Sequence, residues 1–156
     1  MQSKEKTKSA KPLRANKTVR IMVFGTFDIV HPGHKHFFAQ ARKLAGKHKP
    51  FLIVSLARDK NVIRIKGKVP TSNELKRLKR IKSLSEVDKA VLGAIGNHIP
   101  HIVKEKPEII ALGYDQSAYV GGLRAALSKE GVKVKIARMK PHLPNKYKTS
   151  ILIKRN

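Results

Sequence analysis

The sequence contains no cysteine. Disulfides and thiolate metal sites are therefore excluded, which suits a reducing compartment. No apolar run is long enough to cross a bilayer, and the opening residues lack the apolar stretch of a secretion signal. A cytoplasmic protein is expected. Acids are scarce: ten Asp and Glu face thirty-five Lys and Arg, a formal net charge of +25. No dense carboxylate cluster exists to hold a metal, so no resident metal site is expected. Any Mg²⁺ or other divalent cation would take much of its coordination from a substrate.

The positive charge is uneven. Residues 1–20 carry seven bases against Glu5 alone, and residues 133–156 carry eight bases and no acid. Such a surface attracts polyanions, phosphate-rich substrates among them, and its basic tail suits non-specific contact with nucleic acid. Charge does not name a function. A length of 156 residues with 40% hydrophobic content is enough for one domain with its own core.

Residues 1–18 are polar, basic and aperiodic, as in a disordered leader, which leaves a single domain over 19–156. From there apolar runs alternate with amphipathic stretches. Val19–Phe24, Phe51–Ala57, Ala90–Leu92, Glu108–Leu112 and Val132–Ala137 read as strands. Gly33–Ala45 places Phe37, Phe38, Ala41, Leu44 and Ala45 at helical spacing, with both phenylalanines in the core. Glu74–Leu84 is a second helix with Leu75, Leu78 and Ile81 inward. Further helices are expected near His98–Lys104, over Val120–Glu130 and over Thr149–Lys154. Asn61–Ser72 reads as a basic loop. This alternation predicts a three-layer α/β fold with a parallel sheet and right-handed crossovers.

In such sheets ligands bind beyond the carboxyl ends of the strands. The stretch Gly25-Thr26-Phe27-Asp28-Ile29-Val30-His31-Pro32-Gly33-His34 leaves the first strand at that end and enters the first helix. Gly25 permits close approach of a ligand. Pro32 suits a first helical position, and the unpaired amides there attract an anion. His31 and His34, three apart, share a face beside those amides. The arrangement suits a polyphosphate.

GTFDxxHxGH resembles the signature of the cytidylyltransferase-like nucleotidyltransferases, whose fold is a Rossmann-like (HUP-type) sandwich around about five parallel strands. The similarity continues through ARDKNV at 57–62, Lys66-Gly67-Lys68, ELKRL at 74–78, VDKAVLG at 87–93 and ALGYDQ at 111–116. The last two segments resemble the archaeal type of FAD synthase, which adenylates FMN with ATP. The chain departs from that type in having no cysteines near its carboxyl end and in placing Ile151 after Thr149-Ser150.

The resemblance implies nucleotidyl transfer to a phosphate acceptor, with His31, His34, Lys66 and Lys68 as catalytic residues. Gly25, Thr26, Phe27, Gly33, Asp115, Lys148, Thr149 and Ser150 would bind the nucleotide. Asp28, Arg77 and Tyr114 would orient the substrates. The expected substrates are ATP and FMN, or CTP with glycerol phosphate or another polyol phosphate; a nucleic-acid-binding module without turnover is the alternative from another class. No membrane partner is expected, and a homodimer is compatible with the resemblance. His98 and His101 read as surface histidines.

Overall fold

A computed structural model of the chain describes residues 17–114, 116 and 122–140. Five strands and five helices follow one another: β1 (Thr18–Gly25), α1 (Pro32–Lys43), β2 (Lys49–Leu56), α2 (Asp59–Lys66), α3 (Glu74–Lys82), β3 (Lys89–Leu92), α4 (Ile99–Glu105), β4 (Ile109–Leu112), α5 (Leu123–Lys129) and β5 (Lys135–Arg138). The strands form one sheet in the order β3-β2-β1-β4-β5, every neighbouring pair parallel. The predicted α/β architecture is therefore observed. Among the described residues no helix is long and apolar enough to cross a membrane.

The strand period of two divides β1 between two cores. Val19, Ile21 and Val23 face the layer of α1 and α3, where Phe38, Ala41 and Ile81 pack. Met22 faces the layer of α4 and α5, with Ile102, Leu123 and Leu127. The part of a central strand covered on both sides must be apolar, which is why IMVF at 21–24 shows no polar alternation. The order reverses between β1 and β4, and ligands of such sheets bind beyond the carboxyl ends of the strands at that switch point.

Three sequence expectations need correction. The first half of the 61–72 stretch is helical: α2 ends at Lys66 and is capped by Gly67 in the left-handed conformation at φ +70°. Its helical character was hidden because only Asn61 and Val62 are buried, while Ile63 and Ile65 stand exposed. Leu75 is 66% exposed and not inward. Arg77 and Ile81, four apart, define the buried face of α3 and turn it away from Leu75. His101 is not a surface group; its Nε2 lies 2.9 Å from the buried Ser55 Oγ on β2. The expected terminal helix over Thr149–Lys154 lies outside the described residues.

Candidate active site

β1 ends at Gly25, and the chain turns sharply into α1. Phe27 sits at φ +52°, an uncommon conformation for a bulky residue, and its ring is buried against Phe38 at 5.3 Å between centroids. The turn returns that ring over Gly25. A Cβ at Gly25 would lie 2.6 Å from Phe27 Cζ, so only glycine lets the motif fold back on itself. Phe27 is thus core and not a surface for a nucleotide ring. Gly25→Ala is expected to displace a ring locked between His34 and Phe38. Loss of stability by about 1–3 kcal/mol in a denaturant titration, together with lower activity, would report it.

The two histidines cap α1 reciprocally. His31 is the N-cap, with Pro32 at the first helical position. Gly33 N donates to His31 Nδ1 at 3.1 Å, and His31 N donates to His34 Nδ1 at 3.4 Å. The amide of Gly33, expected to meet a nucleotide, is thereby held by the cap. The imidazole rings stack at 3.8 Å with a 23° tilt, and Phe27 meets the His34 ring edge-on at 5.1 Å. Because each Nδ1 accepts an N–H, the proton of each neutral ring sits on Nε2. Two Nε2–H donors therefore belong to the start of the helix.

Burial keeps both rings neutral. Burial is the larger cause at His34, with the neighbouring His31 second, and its pKa falls to about 3; burial lowers that of His31 too. A group with a depressed histidine pKa binds its proton more weakly folded than unfolded. Between the ordinary value of 6.5 and about 3 the unfolded chain holds more protons at this site, so stability declines as pH falls through that window. Thermal melts of wild type and His34→Gln from pH 7 to pH 4 should diverge less at pH 4, the variant having lost this acid sensitivity.

A network of further side chains fastens the turn from below. The Asp28 carboxylate is buried and accepts from Thr71 N at 2.7 Å and Ser72 N at 2.9 Å. Arg77, 0% exposed, donates to Thr26 O at 2.8 Å, Ser72 O at 3.0 Å and Asp59 Oδ1 at 2.6 Å. Arg80 adds a bond to Asp28 O at 2.9 Å. Asp59 in turn accepts from Glu74 N, while Glu74 pairs with Arg58. Asp28 and Arg77, expected to orient substrates, are thus occupied in joining the 26–28 turn to the 71–72 loop. A buried carboxylate and guanidinium are tolerable there because their hydrogen bonds replace lost water.

Lys66 ends α2 with Nζ 3.5 Å from Thr26 Oγ1, which brings it to the motif; Lys68 is exposed on the loop just beyond. Tyr114, 38% exposed, follows β4 at the same carboxyl edge. Asp115, Lys148, Thr149 and Ser150 lie outside the described residues. Sequence reasoning missed Arg80, Asp59, Arg138 and the part played by Gln116. Gln116 spans the switch point, accepting from Gly113 N and donating to Phe24 O, each at 2.7 Å. Arg138 holds that turn through Gly113 O at 2.9 Å and Gln116 O at 2.7 Å. Each has at least one partner remote in sequence, Phe24 for Gln116 and Asp28 for Arg80 among them, which no local pattern signals.

A doubly wound parallel sheet with paired neutral imidazoles at the first strand-to-helix turn is the arrangement to compare with known proteins. The cytidylyltransferase-like family model matches residues 22–155, and the chain belongs to that family of nucleotidyltransferases. An FAD synthase of Thermoplasma volcanium is 40% identical over 121 residues, which span 78% of this chain and 82% of that protein. An FAD synthase of Thermoplasma acidophilum is 37% identical over 137 residues, spanning 88% and 93% of the two chains. A crystal structure described as the lipopolysaccharide core biosynthesis protein from Thermoplasma volcanium GSS1 superposes with a TM-score of 0.71 at 39% identity. It covers 80% of this chain and 98% of its own.

Proposed function

We propose that the protein is an ATP:FMN adenylyltransferase that makes FAD. A phosphate oxygen of FMN attacks the α-phosphorus of ATP in line, the bond to the bridging oxygen breaks, and pyrophosphate departs with that electron pair. The nucleophile is already an anion, so no strong protein base is needed. The work is to align two mutually repelling anions and to stabilise charge on the α-phosphate and the leaving group. The observation that carries this reading is the imidazole pair, whose tautomer puts both protons on Nε2.

Neutral donors at fixed positions stabilise charge as it develops, each worth about 3–4 kcal/mol by analogy with an oxyanion hole. Lys66 and Lys68 would supply positive charge from the loop, and Thr26 the adjoining hydroxyl. Lys148, Thr149, Ser150 and Asp115 are proposed nucleotide contacts on the strength of the sequence motif. No group of three potential ligands for a metal occurs among the described residues, and Asp28 is engaged by two amides. The described residues do not make a resident cation site, so Mg²⁺ is proposed to arrive as part of the nucleotide substrate. The cytoplasm is the proposed setting.

Incubation with ATP and FMN should yield FAD and pyrophosphate by chromatography. Product from CTP and glycerol 3-phosphate, with none from ATP and FMN, would replace this reading by a cytidylyltransferase. Salt-sensitive nucleic-acid binding without either product would replace it by a binding module.

A further inference from the structure

All six large apolar side chains that stand exposed among the described residues belong to one edge of the molecule. Ile63, Ile65, Val69 and Leu75 lie on α2, on the loop after it and on the first turn of α3; Ile95 follows β3 and Tyr114 follows β4. This is the carboxyl edge of the sheet, which also carries the histidine pair. A chain with thirty-five bases has ample charge to cover its surface, yet among the described residues its exposed large apolar side chains gather here. Exposed apolar area gathered beside a site marks a surface that something apolar covers.

The geometry narrows the location. Ile65 falls four residues after Asn61 and shares its face of α2. The Asn61 amide donates to Ala94 O at 2.7 Å, so that face looks towards the exit of β3, where Ile95 is next in the chain. One residue beyond Ile65, Lys66 meets Thr26 in the histidine motif. Val69 follows Lys68 in the loop that Asp28 holds through Thr71 and Ser72. Aliphatic side chains therefore alternate with the cations Arg64, Lys66 and Lys68 at the approach to the imidazoles.

We infer that this strip is the ring subsite for the acceptor: a large planar ring lies on Ile65, Val69 and Ile95, with its phosphate directed to Lys66, Lys68 and the histidine pair. The inference rests on the adenylylation of FMN proposed above. A flavin matches in shape and charge, having an apolar-faced fused ring joined by a ribityl chain to an anionic phosphate. A glycerol or polyol phosphate has nothing to place on three aliphatic side chains. The site thereby selects its acceptor by burying the ring, while the phosphate chemistry remains common to both.

The test uses Ile65→Ser and Val69→Ser in the full chain, both at exposed positions where folding is checked by thermal melting. Flavin fluorescence titration gives the FMN affinity, and steady-state kinetics give KM for FMN and for ATP. Each substitution is expected to weaken FMN about tenfold and to leave KM for ATP unchanged. The preference for FMN over ribitol 5-phosphate, which has the chain and phosphate without the ring, should fall by the same factor. Variants that bind and use FMN like the wild type would overturn the subsite, as would an equal loss with FMN and ribitol 5-phosphate. A wild type that neither binds nor adenylates FMN would instead refute the reaction itself, and the subsite with it.

Discussion

Replacing His34 by alanine is expected to lower kcat by about 10²–10³-fold, the loss found when one preorganised donor is removed from a developing oxyanion. The ring is neutral across the physiological range, with its pKa depressed to about 3, so in the proposed reaction it would serve as a fixed Nε2–H donor and not as a titrating acid. KM for ATP should change less than kcat, because the donor counts most where charge builds in the transition state. The same change deletes the acceptor of the His31 amide and the ring edge against Phe27, at a stability cost of about 1 kcal/mol. Steady-state kinetics with a parallel denaturant titration separate the two effects. A folded His34→Ala protein with wild-type kcat would remove His34 from the chemistry.

Arg77→Leu should lower stability by about 3–5 kcal/mol, because it strips the donor from two backbone carbonyls and from the half-buried Asp59 carboxylate. The guanidinium has no exposure and serves three acceptors, Thr26 O, Ser72 O and Asp59 Oδ1. Leucine leaves all three without that donor, and the Asp59 carboxylate without its charge partner. At this chain length the melting temperature should fall by roughly 10 °C. Arg77→Lys should recover only part of the loss, since an ammonium cannot reproduce the fork that reaches all three. If Arg77→Leu melted like the wild type and lost only ATP binding, the arginine would be a phosphate ligand after all.

Asp28 and Arg77 carry structural bonds that motif reading does not reveal. Both stand beside the reacting groups in sequence order, so direct contact with substrate is the economical expectation. In the fold they point down into the protein and join two loops more than forty positions apart. At Phe27 the positive φ turns the ring inward over Gly25, which no motif pattern reveals. The helix over Asp59–Lys66 escaped notice because hydrophobic periodicity detects only helices that bury an apolar stripe. This one buries Asn61 and Val62 and leaves its isoleucines outside.

The linear chain by itself determined the layer architecture and the place of the active edge. Strands buried on both faces must be continuously apolar, helices between them must be amphipathic, and a glycine-to-histidine turn can leave a parallel strand only at its carboxyl end. Tertiary structure alone decided which polar groups the fold itself engages. Hydrogen-bond partners such as Asp28 with Thr71, or Gln116 with Phe24, are chosen by distance in space, and no local pattern of residue types encodes that distance.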